Sequence, residues 1–195
     1  MHICGAATVA ALAHLAVYTP ELRHPPGQIA PQVPVQTLLS NAPPVQIGDI
    51  KLTPRARFSL EARVLARERY YLGPTAALMP IDIAFGWAEM SDTALLDKMS
   101  ITQGTRFYYW SYAGERPAAH DVIIRSSANM HLIPQTPEIA AVLLSARVGD
   151  VVTLVGDLVD VRKDDDWWMT TSLTREDSGA GACEIIYVRQ ASIRR

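Results

Sequence analysis

Residues 57 to 67 alternate. Phe58, Leu60, Ala62, Val64 and Ala66 take one side, and Arg57, Ser59, Glu61, Arg63 and Arg67 take the other. Successive side chains of a strand point to opposite faces, so a period of two asks for a long, half-buried strand. The composition would also suit a helix, because Ala, Leu, Glu and Arg are good helix formers; the alternation decides for strand. Such a strand needs partners, and the chain offers several. "RFYYWSY" (106–112) and "HDVIIRSS" (120–127) read as strands. "DVVTLVGDLVDVRKDDDWWMTTSL" (150–173) reads as a hairpin that turns at "KDDD", and "GACEIIYVRQASI" (181–193) as the last strand. Gly156, in the middle of a Val-rich run, marks a bulge or a sharp coil of the sheet.

Two helices are expected. In "TPEIAAVLLSARVGD" (136–150), Thr136 caps, Pro137 takes the first helical position and Glu138 complements the dipole, with an end near Gly149. "MSDTALLDKM" (90–99) reads as a short helix capped by Ser91. Five or six strands without regular strand–helix alternation predict a mainly β, β-rich α+β domain with a largely antiparallel sheet. A small OB-like or SH3-like barrel with one or two short helices is the expected architecture, because closure removes exposed edges with this few strands.

Ahead of the domain lie two stretches of different composition. "ICGAATVAALAHLAVY" (3–18) has no formally charged side chain. As a helix it would reach only about 24 Å, short of a hydrocarbon layer of roughly 30 Å. Its length suits the apolar core of a signal peptide or an anchor, with "ALA" at 11–13 as a cleavage pattern, although a basic leader is missing. Then seven of the 13 prolines fall between residues 20 and 44. Proline removes donors and favours extended backbone, so this stretch reads as a linker or a strap lying over the domain, with "VPVQTLL" able to dock as an edge strand or short helix. The expected organisation is an apolar signal or anchor segment (1–18), a Pro-rich linker or strap (19–45) and a barrel-like domain (46–195). This order points to the bacterial periplasm, or to the inner membrane facing the periplasm. A net charge of −2 gives no global pull toward nucleic acid.

Three strings are distinctive: "PIDIAFGWAEMSD" (80–92), "SSANMHLIP" (126–134) and "SLTREDSGAGACE" (172–184). On them the chain resembles a family of uncharacterised bacterial envelope-associated proteins, over roughly residues 56 to 190. The resemblance implies a compartment and a domain; it implies no reaction and gives no residue a catalytic role.

The second and third strings hold the candidate binding residues. Ser126, Ser127, Asn129 and His131 read first as a loop whose side chains satisfy its own backbone, and second as a binding loop. Gly179 and Gly181 permit tight turning and exposed amides, but no phosphate-loop or dinucleotide spacing accompanies them, so a hairpin loop is the plain reading. Cys183 reads as a small buried hydrophobe, with a Cys–His nucleophile pair to His131 as the alternative. No metal-ligand spacing occurs among the five histidines and two cysteines, and no cofactor is expected. Trp167 and Trp168 are adjacent on a strand and must face opposite ways, as must Tyr108 and Tyr109; one of each pair should be outward, either open to a partner or covered by the Pro-rich strap.

The expected function is a non-catalytic binding or assembly module of the envelope, contacting a protein or other ligand through loops and exposed aromatics. Its N-terminal segment meets the membrane, and its partner is another envelope protein. The alternative is a hydrolase using His131 with Cys183 or Ser127. A third reading, a single-strand nucleic-acid platform of outward aromatics beside Arg55, Arg57, Arg63, Arg67 and Arg69, is weakened by Glu61 and Glu68 on the same face.

Overall fold

The structure, a computed structural model, describes residues 21–163, 167–177, 179 and 181–195. The apolar segment 1–18 and the hairpin tip 164–166 lie outside the described residues. So do Ser178 and Ala180 of the glycine-rich loop. The described chain is mainly β. In order it runs β1 (Val35–Leu38), β2 (Val45–Ile47), β3 (Ile50–Arg69), β4 (Ile81–Gly86), a 3-10 turn (Ala88–Ser91), α1 (Thr93–Leu96), β5 (Met99–Gly104), β6 (Phe107–Tyr112), α2 (His120–Arg125), β7 (Ser127–Pro134), α3 (Pro137–Ser145), β8 (Val151–Lys163), β9 (Trp167–Met169) and β10 (Glu184–Arg194).

The main sheet has the order β1-β3-β4-β7-β10-β8-β9, and β2 also pairs with β3. Only β7 and β10 run parallel; the other neighbours are antiparallel. The long strand read from the alternation is β3, and it carries two ladders. Residues Ile50–Arg63 pair with β8, and residues Arg63–Arg69 pair with β4. The pairing path therefore returns to its starting strand. The ring is uneven, since the β7–β10 ladder covers only Glu184–Val188. The second sheet is the β5–β6 hairpin, inserted between β4 and β7.

Inward residues of the ring form the main core. Phe58, Leu60, Ala62 and Val64 of β3 meet Ile83 and Phe85 of β4, Met130 and Leu132 of β7, and Leu154, Leu158, Ile186 and Val188 of the last two long strands. Gly156 sits where backbones crowd. A Cβ there would lie 2.3 Å from the Tyr187 carbonyl oxygen, and the register slip itself falls in β10, between Val188 and Gln190. The adjacent aromatics divide as the alternation requires. Trp167 packs on the smaller cluster around Leu52, Val159 and Ile185, while Trp168 is 68% exposed. Tyr108 is half-buried and Tyr109 is 55% exposed.

Three expectations change. "HDVIIR" is not a strand but α2, closed by an Asp121–Arg125 pair at 2.8 Å one turn apart. A short apolar run does not separate helix from strand by period alone. "SANMHLIP" is not a loop but β7, whose residues from Ser127 to Ile133 are all buried. The cap of α1 is Asp92 rather than Ser91: Asp92 Oδ1 accepts from the Ala94 amide at 2.8 Å, whereas Ser91 donates back to the Ala88 carbonyl. The clearest helix is as expected, with Thr136 accepting from the Ile139 amide, though it ends at Ser145.

From residue 21 the Pro-rich stretch lies on the domain. The Leu22 amide donates to the Val148 carbonyl, His24 Nε2 lies 2.7 Å from the Gly149 carbonyl oxygen, and Ala30 is fully buried. "VQTL" is β1, an edge strand antiparallel to β3. Among the described residues no helix is long and apolar enough to cross a membrane.

Candidate functional site

On β7 the residues that do not enter the core are Ser127, Asn129 and His131. Strand register sets their neighbours. Asp82 of β4 is the direct partner of His131, and Ile185 of β10 is its partner on the other side. Cys183 lies two residues before Ile185 and so falls on the same face as His131, next to Asn129. The face is polar yet covered: Asp82 is 0% and His131 3% exposed.

The contacts are specific. His131 Nδ1 lies 3.0 Å from Asp82 Oδ2, an ion-pair distance. Asn129 Nδ2 donates to the Arg106 carbonyl at 2.9 Å and lies 3.6 Å from Cys183 Sγ. Burial works against a charged His131, but the Asp82 carboxylate and the Cys183 thiol outweigh it and carry the imidazole up to about 9. The balance favours the charged form of the ring.

Arg106 ties the cover to this face. It sits at the tip of the β5–β6 hairpin, where Thr105 (φ 51°) and Arg106 (φ 70°) both occupy the left-handed region. A β-branched residue there is strained, and such strain persists when the surroundings hold it. Here they do. Arg106 Nη1 donates to Asp82 Oδ1 at 2.7 Å, its guanidinium lies 3.6 Å from the Tyr70 ring centre, and its amide donates to the Tyr70 hydroxyl. Burial, with Asp82 nearby, pushes that phenol up to about 12.

Above the polar floor is a cavity of about 290 Å³. Phe107, Tyr109 and Trp110 of β6 wall one side, with His120 of α2 ring-to-ring against Trp110 at 5.6 Å. Cys183 and Glu184 also line the cavity. Glu184 is 1% exposed, and one oxygen takes Arg175 Nη1 at 2.5 Å while Oε2 has no hydrogen-bond partner. Burial, partly offset by Arg175, pushes its carboxyl up to about 7.

The expected binding residues divide among these places. Ser127, Asn129 and Gly179 line the cavity, and His131 sits behind it. Ser127 is engaged locally: its hydroxyl donates to the Ile123 carbonyl and lies 2.9 Å from the Tyr108 hydroxyl. Ser126 is elsewhere, its hydroxyl on Glu89. Gly179 (φ 84°) and Gly181 (φ 90°) use the left-handed freedom expected of them. Trp167 and Trp168 belong to β9 and do not line this cavity. Sequence reasoning missed Asp82, Arg106, Arg175 and Glu184. The signal for Asp82 was present, since it is the one charge inside the apolar run "IDIAF" and a lone buried charge needs a partner. The three distinctive strings supply the floor together: Asp82 from the first, Asn129 and His131 from the second, Arg175, Cys183 and Glu184 from the third.

The arginines of β3 are engaged inside the chain. Arg55 pairs with Asp160 and Arg57 with Asp157; Arg63 donates to Thr93; Arg67 and Arg69 both reach the Leu144 carbonyl. Among the described residues no group of three or more His, Cys, Asp or Glu is arranged to hold a metal ion. Compared with known proteins, the chain matches no family model, no curated protein and no solved structure.

Proposed function

We propose that the chain is an OB-like barrel module of the bacterial envelope that binds a ligand or a partner's side chain in the cavity over β7 and β10. The OB-like reading rests on connectivity: a long first strand shared by two ladders, a meander of β3, β4 and β7, a helix next, and a parallel last strand beside the third. The observation that carries the binding reading is the cavity itself, with exposed aromatics at its rim and a buried polar floor. Aromatic walls give affinity, and a few convergent polar groups give orientation. The pairing of the β3 arginines within the chain counts against a nucleic-acid face. The envelope placement rests on the apolar and proline-rich composition of the first 45 residues.

The test is site-specific photocrosslinking in cells. A crosslinker at position 109 should capture a ligand or partner in the envelope fraction, and Ala182→Trp, which fills the cavity, should abolish capture. Trp168 is the comparison position. Capture at 168 with none at 109 would move the contact to β9, and protein found wholly in the cytosol would remove the envelope reading.

A second reading, a hydrolase, is favoured by one observation: Cys183 lines the cavity and His131, backed by Asp82, lies on the same strand face. Ester or amide turnover lost in Cys183→Ser would establish it.

A further inference from the structure

We infer that Cys183 forms a mixed disulfide with a small, amine-bearing disulfide that enters the cavity beneath β6 and α2. The inference deepens the binding reading and rests on it for the cavity being an open ligand site. Three observations converge. Cys183 is half-buried and faces the cavity, while the groups that support its sulfur lie on the protein side: Asn129 Nδ2 at 3.6 Å, and His131 held by Asp82. A thiolate is the attacking species, and a neighbouring cation and amide donor stabilise it. His131, lifted to about 9, supplies that cation.

The second observation separates thiol exchange from hydrolysis. Acyl transfer needs donors aimed at a developing oxyanion. The side-chain donor nearest the sulfur, Asn129 Nδ2, already serves the Arg106 carbonyl. Exchange with a disulfide develops charge on sulfur alone and needs no oxyanion site.

The third observation defines the ligand. Glu184 Oε2 is buried and without a partner, at the residue next to Cys183 and in the wall of the same cavity. A buried carboxylate oxygen calls for a donor. Tyr109 and Trp110 line the same cavity, and aromatic ring faces attract cations. An ammonium two or three bonds from the ligand's sulfur satisfies both.

The step balances. The thiol proton is lost to solvent, the thiolate Sγ attacks the nearer ligand sulfur, and the ligand's S–S bond breaks. The far half leaves as a thiolate and ends as a thiol by taking a proton from solvent. Cys183 is oxidised to the disulfide level, and half of the ligand is reduced. Among the described residues Cys183 is the sole cysteine, so none of them supplies a second thiol to resolve the adduct.

The experiment uses the full chain with Cys4→Ser, so that one thiol reports. Cystamine, neutral hydroxyethyl disulfide and anionic dithiodipropionate are compared by intact mass and peptide mapping. Each rate is divided by that of the urea-unfolded chain, which removes intrinsic reactivity. The expected result is one half-cystamine on Cys183, with a normalised rate about tenfold or more above either other probe, the size of one charge-assisted hydrogen bond. His131→Gln should slow the reaction, and Glu184→Gln should erase the preference for cystamine. The probe comparison stands on the unaltered pocket even if a variant fails to fold. Native protein reacting no faster than unfolded chain, or equally with all three probes, overturns the inference. Cystamine quenching of intrinsic fluorescence in Cys183→Ser reports occupancy without chemistry. Occupancy with no adduct in the thiol protein overturns this inference alone, and neither signal overturns the cavity reading as well.

Discussion

The two faces of β7 are almost equally buried and could hardly differ more. Inward, Met130 and Leu132 close the core against β3, β4 and β10. Outward, Asn129 and His131 meet the Arg106 carbonyl at the hairpin tip, a thiol and a carboxylate that also takes the Arg106 guanidinium. The inner face is held by area removed from water and tolerates changes of similar volume. The outer face is held by partner-specific charges, where removal of one group strands another. Burial alone therefore does not tell core from site; what each side chain is paired with does.

Asp82→Ala should break this contrast most. It leaves Arg106 and the His131 imidazolium without their shared carboxylate, at an expected cost of about 3–5 kcal/mol. Urea unfolding measures it, and a loss below 1 kcal/mol would show that the pair contributes little. Leu132→Ala on the other face should cost about 2–4 kcal/mol by the cavity it opens. It should leave the reactivity of Cys183 unchanged, which Asp82→Ala should not.

The pH dependence should set the faces apart next. His131 is raised in the folded state, so its contribution is full below about 6.5 and lost as pH rises through about 9. Glu184 is raised from the usual carboxyl range to about 7, so its neutral form favours folding below that range and the advantage fades toward 7. Stability should fall from about pH 5 to pH 9, by an amount on the order of 1–3 kcal/mol. His131→Gln should flatten the upper half of that slope, and Leu132→Ala should leave the slope as it was. The smallest effect concerns the cover. Thr105→Gly relieves a β-branched residue in the left-handed region and should raise stability by about 1 kcal/mol. A loss of stability instead would mean that the threonine side chain contributes more than its backbone strain costs.

Much of the sheet was legible because its strands announce themselves on their inner face. The alternation through Phe58, Leu60 and Val64 gave β3, and the Val-rich run gave β8, since water-facing and core-facing positions differ in polarity there. On β7 the same period exists: Ala128, Met130 and Leu132 alternate with Ser127, Asn129 and His131. It is obscured because Ser and Asn are also turn formers. What hid the site was its cover. The β5–β6 hairpin buries that face, and no local pattern in residues 126–134 reveals a hairpin arriving from residues 99–112. Residue type alone suggests Cys183 with His131. It does not suggest Glu184 with Arg175, because their partnership depends on how the chain turns between them.

The double ladder of β3 has a consequence for the order of assembly. Its amino-terminal portion waits for β8, about a hundred positions further along, and β10 slots between β7 and β8 only after both exist. Contacts so distant in sequence form slowly. During synthesis the sulfur of Cys183 therefore arrives after the imidazole and the carboxylate, so the polar face of β7 receives its last member only as the final seam is sewn.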